Sequence, residues 1–348
     1  MAAGQKVAVY GASGHTGRFV VAELRERGLV PLLLGRDAAR LAALVPAAGP
    51  GAAARAASVT DPAALDRALA GAAAVVNCAG PFATTAGPLI EAALRAGIPY
   101  LDVAAEIEAN LDTFTHFAER AAAAGTVVLP AMAFYGGLGD LLTTAAMGED
   151  WPAADESVIA YGLSGWHPTA GTRAAGVVSR ERRAGRGVRF TAGRLTYHRD
   201  GPTTLEWPFP EPLGTQTVVA EFTMADVVTI PSHLAVPEVR THMSLAAAKD
   251  LSAPETPAPT ATDPRGRSAQ TFLVEAVVRR GGEERRAAAA GRDIYAVTAP
   301  LVVEAVARVL DGRTRTVGVA AAGALFDAAD FLRALAPHLT VTLPAAVG

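Results

Sequence analysis

The feature that most constrains this chain is Gly11-Ala12-Ser13-Gly14-His15-Thr16-Gly17, set between the apolar run Lys6-Val7-Ala8-Val9-Tyr10 and an amphipathic stretch over 15–27. A Gly-x-x-Gly-x-x-Gly string alone is only a glycine-rich turn. A strand before it and a helix behind it are what a dinucleotide cradle requires. In that setting Gly11 permits the tight turn, Gly14 lets the backbone approach a diphosphate, and Gly17 lets the helix pack close to the strand. The diphosphate then meets the free N–H groups and positive end of the helix. Ser13, His15 and Thr16 are the loop side chains placed to touch it.

Apolar and amphipathic segments alternate onward from that loop. Strands are expected at 5–10, 29–34, 52–58, 73–78, 100–103 and 126–129. Helices are expected at 15–27, 38–48, from Pro62, at 87–96 and at 108–124. That alternation defines a Rossmann-type doubly wound parallel sheet. After Pro130 the rhythm changes. A helix at 137–147 precedes strand-rich segments at 156–163, 188–197, 217–230 and 271–293, the last a hairpin turning at Gly281-Gly282. Residues 252–268 are polar and proline-rich, which reads as a loop. Helices at 298–310 and 326–336 close the chain. The expected fold is therefore α/β, with a second α+β domain built on a mostly antiparallel sheet. Residues 1–135 form the dinucleotide domain, 136–297 the substrate and dimerisation domain, and 298–348 a segment packing back on the first.

The end of the second strand selects the cofactor. An NAD site offers an acidic residue there to the ribose hydroxyls. This chain has Leu34-Gly35-Arg36-Asp37. Arg36 brings a permanent planar cation to a 2′-phosphate, with Arg40 a turn further on, so NADP(H) is expected over NAD(H). Asp37 is read as the N-cap of the next helix. Asn77-Cys78-Ala79-Gly80-Pro81 ends the fourth strand, where ligands of open α/β sheets bind. Asn77, Ala79, Gly80 and Pro81 are placed beside the nicotinamide ribose. Cys78 is read as a packed apolar residue.

GASGHTG, LLLGRD, NCAGPF and YLDVAAE together resemble the saccharopine dehydrogenase-like reductases, a superfamily that includes saccharopine reductases and trans-acting enoyl reductases of polyketide pathways. The likeness is good over about residues 5–140 and looser beyond. It implies an NADP-binding Rossmann domain, a central α+β domain with substrate contacts and often the dimer interface, and a closing segment on the Rossmann layer. Ala105 stands where the family's Tyr-x-Asp-x-x-Gly-Glu pattern has glycine, and 130–140 matches the family's loop only loosely.

Other chemistries lack their residues. The chain has two lysines, Lys6 and Lys249, and Leu245 stands four residues before Lys249, so the Tyr-x-x-x-Lys pair of short-chain dehydrogenases is missing. One cysteine leaves no cysteine-rich zinc site, and no metal is expected. Without a lysine acid, a proton donor must be tyrosine, histidine, a carboxyl group or water. Asp102 and Glu106 follow the fifth strand, and Tyr135 and Asp140 the sixth. His167 lies on a loop of the second domain. Asp102 has a plain alternative in binding backbone amides, Asp140 in capping a helix, and His167 as an ordinary loop residue. With a net charge of −3 and no run of one sign, neither nucleic acid nor membrane is an expected partner. A cytoplasmic location is expected from the lack of a signal peptide or membrane-spanning run. The reading is an NADPH-dependent reductase of a C=N or C=C bond in a small or carrier-bound metabolite, as a homodimer. Its rival is a sensor that binds NADP(H) without turnover.

Overall fold

The computed structural model describes residues 4–344. Its first layer is a seven-stranded parallel sheet. β1 (Lys6–Tyr10), β2 (Val30–Gly35), β3 (Ala53–Ala56), β4 (Ala74–Asn77), β5 (Tyr100–Asp102) and β6 (Val127–Leu129) alternate with α1 (His15–Glu26), α2 (Ala38–Ala42), α3 (Val45–Ala48), α4 (Pro62–Leu69), α5 (Phe82–Ala96) and α6 (Ile107–Ala123). The order β3-β2-β1-β4-β5-β6 is the Rossmann order, extended beyond β6 by β15 (Gly318–Val319). Strands buried on both faces explain the unbroken apolar runs, as in Leu32-Leu33-Leu34.

The expected start of α5 at 87 is corrected to Phe82. Gly80-Pro81, Thr84-Thr85 and Gly87-Pro88 made the segment read as loop. Its first turn is held from a distance: Glu106 accepts hydrogen bonds from the N–H groups of Phe82 (2.7 Å) and Ala83 (3.1 Å). A cap supplied 24 residues away leaves no local signature.

After α7 (Gly139–Met147) the chain builds a second sheet from β7 (Glu156–Leu163), β10 (Thr204–Pro208), β11 (Thr215–Val219), β12 (Val239–Ser244), β13 (Thr271–Arg280), β14 (Glu283–Arg292) and β16 (Thr340–Thr342). Their order is β10-β11-β12-β7-β13-β14-β16, antiparallel except at β12–β7. The hairpin β8 (Gly187–Thr191) and β9 (Arg194–His198) hangs from β12. α8 (Ala170–Arg182), absent from the sequence reading, crosses between the layers. The expected strand at 217–230 ends at Val219; Asp226–Thr229 is instead the short helix α9. α10 (Leu245–Ser252) follows β12. Of the closing segment, α11 (Thr298–Leu310) packs on α1 and β15 pairs with β6, while β16 pairs with β14 of the second sheet. α12 (Ala322–Leu325) and α13 (Ala328–Ala334) pack on α7, so residues 298–342 lace both layers together.

The apolar density of 217–230 and of the hairpin 271–293 calls for burial of both faces, one over the cofactor cleft and the other against a second copy of the chain. One face of β13 lies on α7. On the other, Leu273 and Val277 join Val158 of β7 beneath Trp207, Phe209 and Leu213. Burial of both faces is thus met largely within the chain.

Candidate active site between the two layers

The glycine loop has the geometry its residues imply. Gly11 has φ +84°, and a Cβ there would lie 2.9 Å from the backbone nitrogen of Ala79. A Cβ on Gly17 would sit 2.2 Å from the carbonyl oxygen of Gly11. Neither position tolerates a side chain. Gly14 precedes α1 in extended conformation and no side chain caps the helix there, so its first-turn N–H groups point outward for a ligand. The cradle fits a dinucleotide diphosphate.

At the end of β2, Arg36 is exposed and makes no ion pair among the described residues. It stands close enough to Tyr10 for its charge to act on that hydroxyl. Asp37 accepts a hydrogen bond from the N–H of Arg40 (3.0 Å), as an N-cap does. This leaves Arg36 and Arg40 facing solvent beside the loop, where a 2′-phosphate would be met.

Asn77 is fully buried, and its side chain is consumed by the protein: the amide N–H₂ reaches Thr85 (3.1 Å) and Tyr100 (3.2 Å), and the amide oxygen accepts from Ala79 (3.0 Å). The expectation that Asn77 contacts the ribose is corrected; it holds Ala79–Pro81 in place, and those residues form the loop edge. α8 lies over that edge, since a Cβ on Gly80 would be 3.7 Å from Ala175. Burial, and then the Asp102 carboxylate, push the Cys78 thiol up, so it remains protonated and inert.

Two expected acids turn out to be structural. Asp102 is 1% exposed and accepts from the N–H groups of Ala104 (3.0 Å) and Ala131 (2.8 Å) and from the Tyr100 hydroxyl (2.9 Å). Burial lifts its carboxyl to about 6 against those three bonds. It clamps the loop after β5 to the loop after β6. Glu106 is spent on the N-terminus of α5, with burial raising its carboxyl while the Phe82 and Ala83 N–H groups oppose. Asp140 is engaged by the loop after α9 and by α12. It is fully buried, 2.6 Å from His233 Nε2 and 2.6 Å from the N–H of Gly323.

Tyr135 keeps its candidacy. The turn Phe134–Leu138 is wound tightly, with Gly136 at φ +94° and a Cβ there only 2.9 Å from Ala131 Cβ. This folds Tyr135 inward against Phe134, Tyr161 and Trp166, at ring-centroid distances of 4.8, 5.0 and 5.0 Å. Its hydroxyl is buried and has no hydrogen-bond partner among the described residues. A buried orphan hydroxyl costs free energy unless something else satisfies it.

The second layer supplies the opposite wall. Trp166, buried on the loop after β7, donates from Nε1 to the hydroxyl of Tyr295 (3.1 Å), which also accepts from the N–H of Thr169 (3.2 Å). The Tyr295 ring packs on His15 of the glycine loop at 5.2 Å. His15 Nε2 is buried with no hydrogen-bond partner among the described residues, and burial lowers the His15 pKa. The His167 imidazole is exposed to solvent, and its backbone carbonyl accepts from the Tyr295 hydroxyl (3.3 Å). α8 is fixed over the site by Ser179 donating to Glu108 (2.7 Å) and by the Arg182–Asp112 pair (2.8 Å).

The structure thus joins His15, the Ala79–Pro81 loop, Tyr135, Trp166 and Tyr295, and leaves out the side chains of Asn77, Asp102, Glu106, Asp140 and His167. Sequence reasoning missed Tyr295, whose contacts at 15 and 166 have no local signal. It also missed the buried Asp226 behind Tyr135. Among the described residues no cluster of histidine, cysteine and carboxylate side chains suits a metal, and no helix is long and apolar enough to cross a membrane.

Residues 7–129 match the family model of the saccharopine dehydrogenase NADP binding domain. The chain as a whole superposes on apo saccharopine dehydrogenase (L-Glu forming) from Saccharomyces cerevisiae with a TM-score of 0.65. That superposition covers 98% of this chain and all of the other at 14% identity, which shows a shared fold. A probable mitochondrial saccharopine dehydrogenase-like oxidoreductase of Arabidopsis thaliana is 32% identical over 140 residues. The chain's match spans about a third of that relative's length, 31%, and 36% of this chain. The N-terminal layer is therefore an NADP-binding domain of saccharopine dehydrogenase type. The resemblance read from GASGHTG, LLLGRD, NCAGPF and YLDVAAE is borne out, with NADP as the cofactor.

Proposed function

We propose that this protein is an NADPH-dependent oxidoreductase that delivers hydride to a C=N or C=C bond of a small or carrier-bound metabolite. The observation that carries the reading is the unpartnered, buried Tyr135 hydroxyl between an NADP-binding edge and a second layer that shuts out water. When bound, NADPH supplies the hydride; the protein must position the acceptor and provide a proton. Ser13, Gly14, His15, Thr16 and Gly17 would hold the diphosphate, Arg36 the 2′-phosphate, and Ala79, Gly80 and Pro81 the nicotinamide ribose. Trp166 and Tyr295 would wall the substrate, and Tyr135 would donate the proton. NADPH consumption with imine and enoyl substrates tests the reading. One observation favours the rival, a non-catalytic sensor: the carboxyl groups nearest the cofactor edge, Asp102 and Glu106, are tied up by backbone N–H groups.

The cofactor assignment has its own test. Arg36→Ala should weaken NADPH by roughly 10- to 150-fold, the equivalent of about 1.5–3 kcal/mol for a hydrogen bond to a charged group. NADH affinity should hardly change, because NADH has no 2′-phosphate to lose. Equal losses in a fluorescence titration would remove Arg36 from the phosphate site.

A two-fold dimer belongs to the proposal, with the outer face of the second sheet as its place. There an open groove of about 440 Å³ is lined by Leu205, Trp207, Glu221, Arg240 and Arg279. A monomer by sedimentation at micromolar concentration would exclude it. A cytoplasmic location is likewise proposed, resting on the absence of a membrane-spanning helix among the described residues.

A further inference from the structure

Behind Tyr135 lies a carboxylate that nothing above uses. Asp226, at the start of α9, is fully buried and has no cationic partner among the described residues. Both of its oxygens lie 2.9 Å from the hydroxyl of Tyr161 on β7. Gly139 makes the approach possible, since a Cβ there would stand 2.0 Å from Asp226 Oδ1. A buried carboxylate with no cationic partner is costly, which marks Asp226 as a candidate for a role at the site. The Tyr161 ring packs on Tyr135 at 5.0 Å. The unpartnered Tyr135 hydroxyl lies within electrostatic reach of Tyr295 on the cofactor side and Asp226 on the inner side.

We propose that Asp226 positions the proton of this site: its charge and its hydrogen bonds with Tyr161 set how readily the Tyr135 hydroxyl gives up its proton. The inference rests on the reductase reading above. In each turnover one hydride goes from NADPH to the substrate carbon, leaving NADP⁺. The Tyr135 O–H bond breaks, and its proton goes to the neighbouring substrate atom. The tyrosinate regains its proton from water once product leaves, while Asp226 and Tyr161 keep their hydrogen bonds to each other. Asp226 is therefore a positioning residue.

The groups facing Asp226 are Tyr161 from β7, Tyr135 from the turn before α7, and Asp140 from α7, itself paired with His233. Burial is the main cause that lifts its carboxyl, to about 7; the Tyr161 bond opposes and Asp140 adds to the rise. A group poised there exchanges protons near neutrality.

The test needs no substrate. NADP⁺ carries a fixed positive charge on the nicotinamide ring that NADPH lacks, and a nearby positive charge favours ionised Asp226. Calorimetric titrations should show NADP⁺ tightening about tenfold relative to NADPH between about pH 5.5 and about pH 8.5, the effect of a shift of about one pKa unit. Release of a proton should accompany NADP⁺ binding alone. Taking the difference between the two cofactors cancels contributions from the 2′-phosphate and Arg36. Asp226→Asn should abolish both the pH-dependent difference and the proton release, while Asp102→Asn leaves them in place. Tyr161→Phe, which keeps the carboxyl but strips its hydroxyl donor, should move the midpoint upward. The inference is overturned if Asp226→Asn retains the wild-type difference, if Asp102→Asn removes it, or if Tyr161→Phe leaves the midpoint unmoved. Wild-type protein that binds neither cofactor would instead overturn the NADP reading on which it rests.

Discussion

Asp140→Ala is expected to destabilise the protein by about 3–5 kcal/mol, the usual cost of removing one partner of a buried ion pair. Asp140 is fully buried on the first turn of α7, and its two oxygens serve two separate elements. Oδ1 lies 2.6 Å from His233 Nε2 and Oδ2 accepts from the N–H of Gly323 at 2.6 Å. Gly323 belongs to α12 and His233 follows α9, so the substitution loosens both packings on α7 at once. The loss should depend on pH. Burial acts to lower the His233 pKa, but Asp140 outweighs it by charge and hydrogen bond, and the net shift is upward. A histidine raised in the folded state contributes stability that is full below its unfolded value of about 6.5 and fades as pH rises through the folded one. The deficit in denaturant unfolding should therefore be largest below about pH 6.5 and shrink in alkali to the cost of the orphaned Gly323 N–H, about 1–3 kcal/mol. A loss under about 1 kcal/mol at all pH values would show that the pair contributes little.

Tyr135→Phe is expected to lower turnover by about 10²- to 10⁴-fold, the range for a positioned general acid. The ring contacts with Phe134, Tyr161 and Trp166 survive the change, so packing is kept. The lost hydroxyl has no hydrogen-bond partner among the described residues, so folding should be unharmed or slightly improved. NADPH affinity should stay within about twofold, because cofactor contacts are made elsewhere. A structural tyrosine would give the opposite pattern, with lower stability and little change in turnover per folded molecule.

The Rossmann layer was legible because its signals are local. Glycines at 11, 14 and 17 state a turn, a close approach and a helix contact, and the apolar runs of β1, β2 and β4 state a buried parallel sheet. The Asp37 cap was legible for the same reason. The acids of the site were not. Glu106 looks free in sequence and Asp102 reads either as an acid or as a binder of backbone amides; their partners are N–H groups at 82 and 83, and at 104 and 131. Whether a carboxylate is available depends on what the fold brings to it. On the loop that carries His167, the inward residue is Trp166. Tyr295 and Asp226 matter through contacts 65 to 280 positions away. The helix α8 was missed because Gly171 and Gly176 weaken its pattern; its cap at Thr169 and its anchor at Ser179 are what hold it.

The central claim is that this site transfers hydride from NADPH. The most direct measurement is NADPH consumption by wild-type and Tyr135→Phe protein against a panel of imine and enoyl substrates, free and carrier-bound. The account predicts consumption by the wild type with at least one class, and its near loss in the variant. Tight NADPH binding with no consumption across the panel would contradict it and leave the sensor reading in its place.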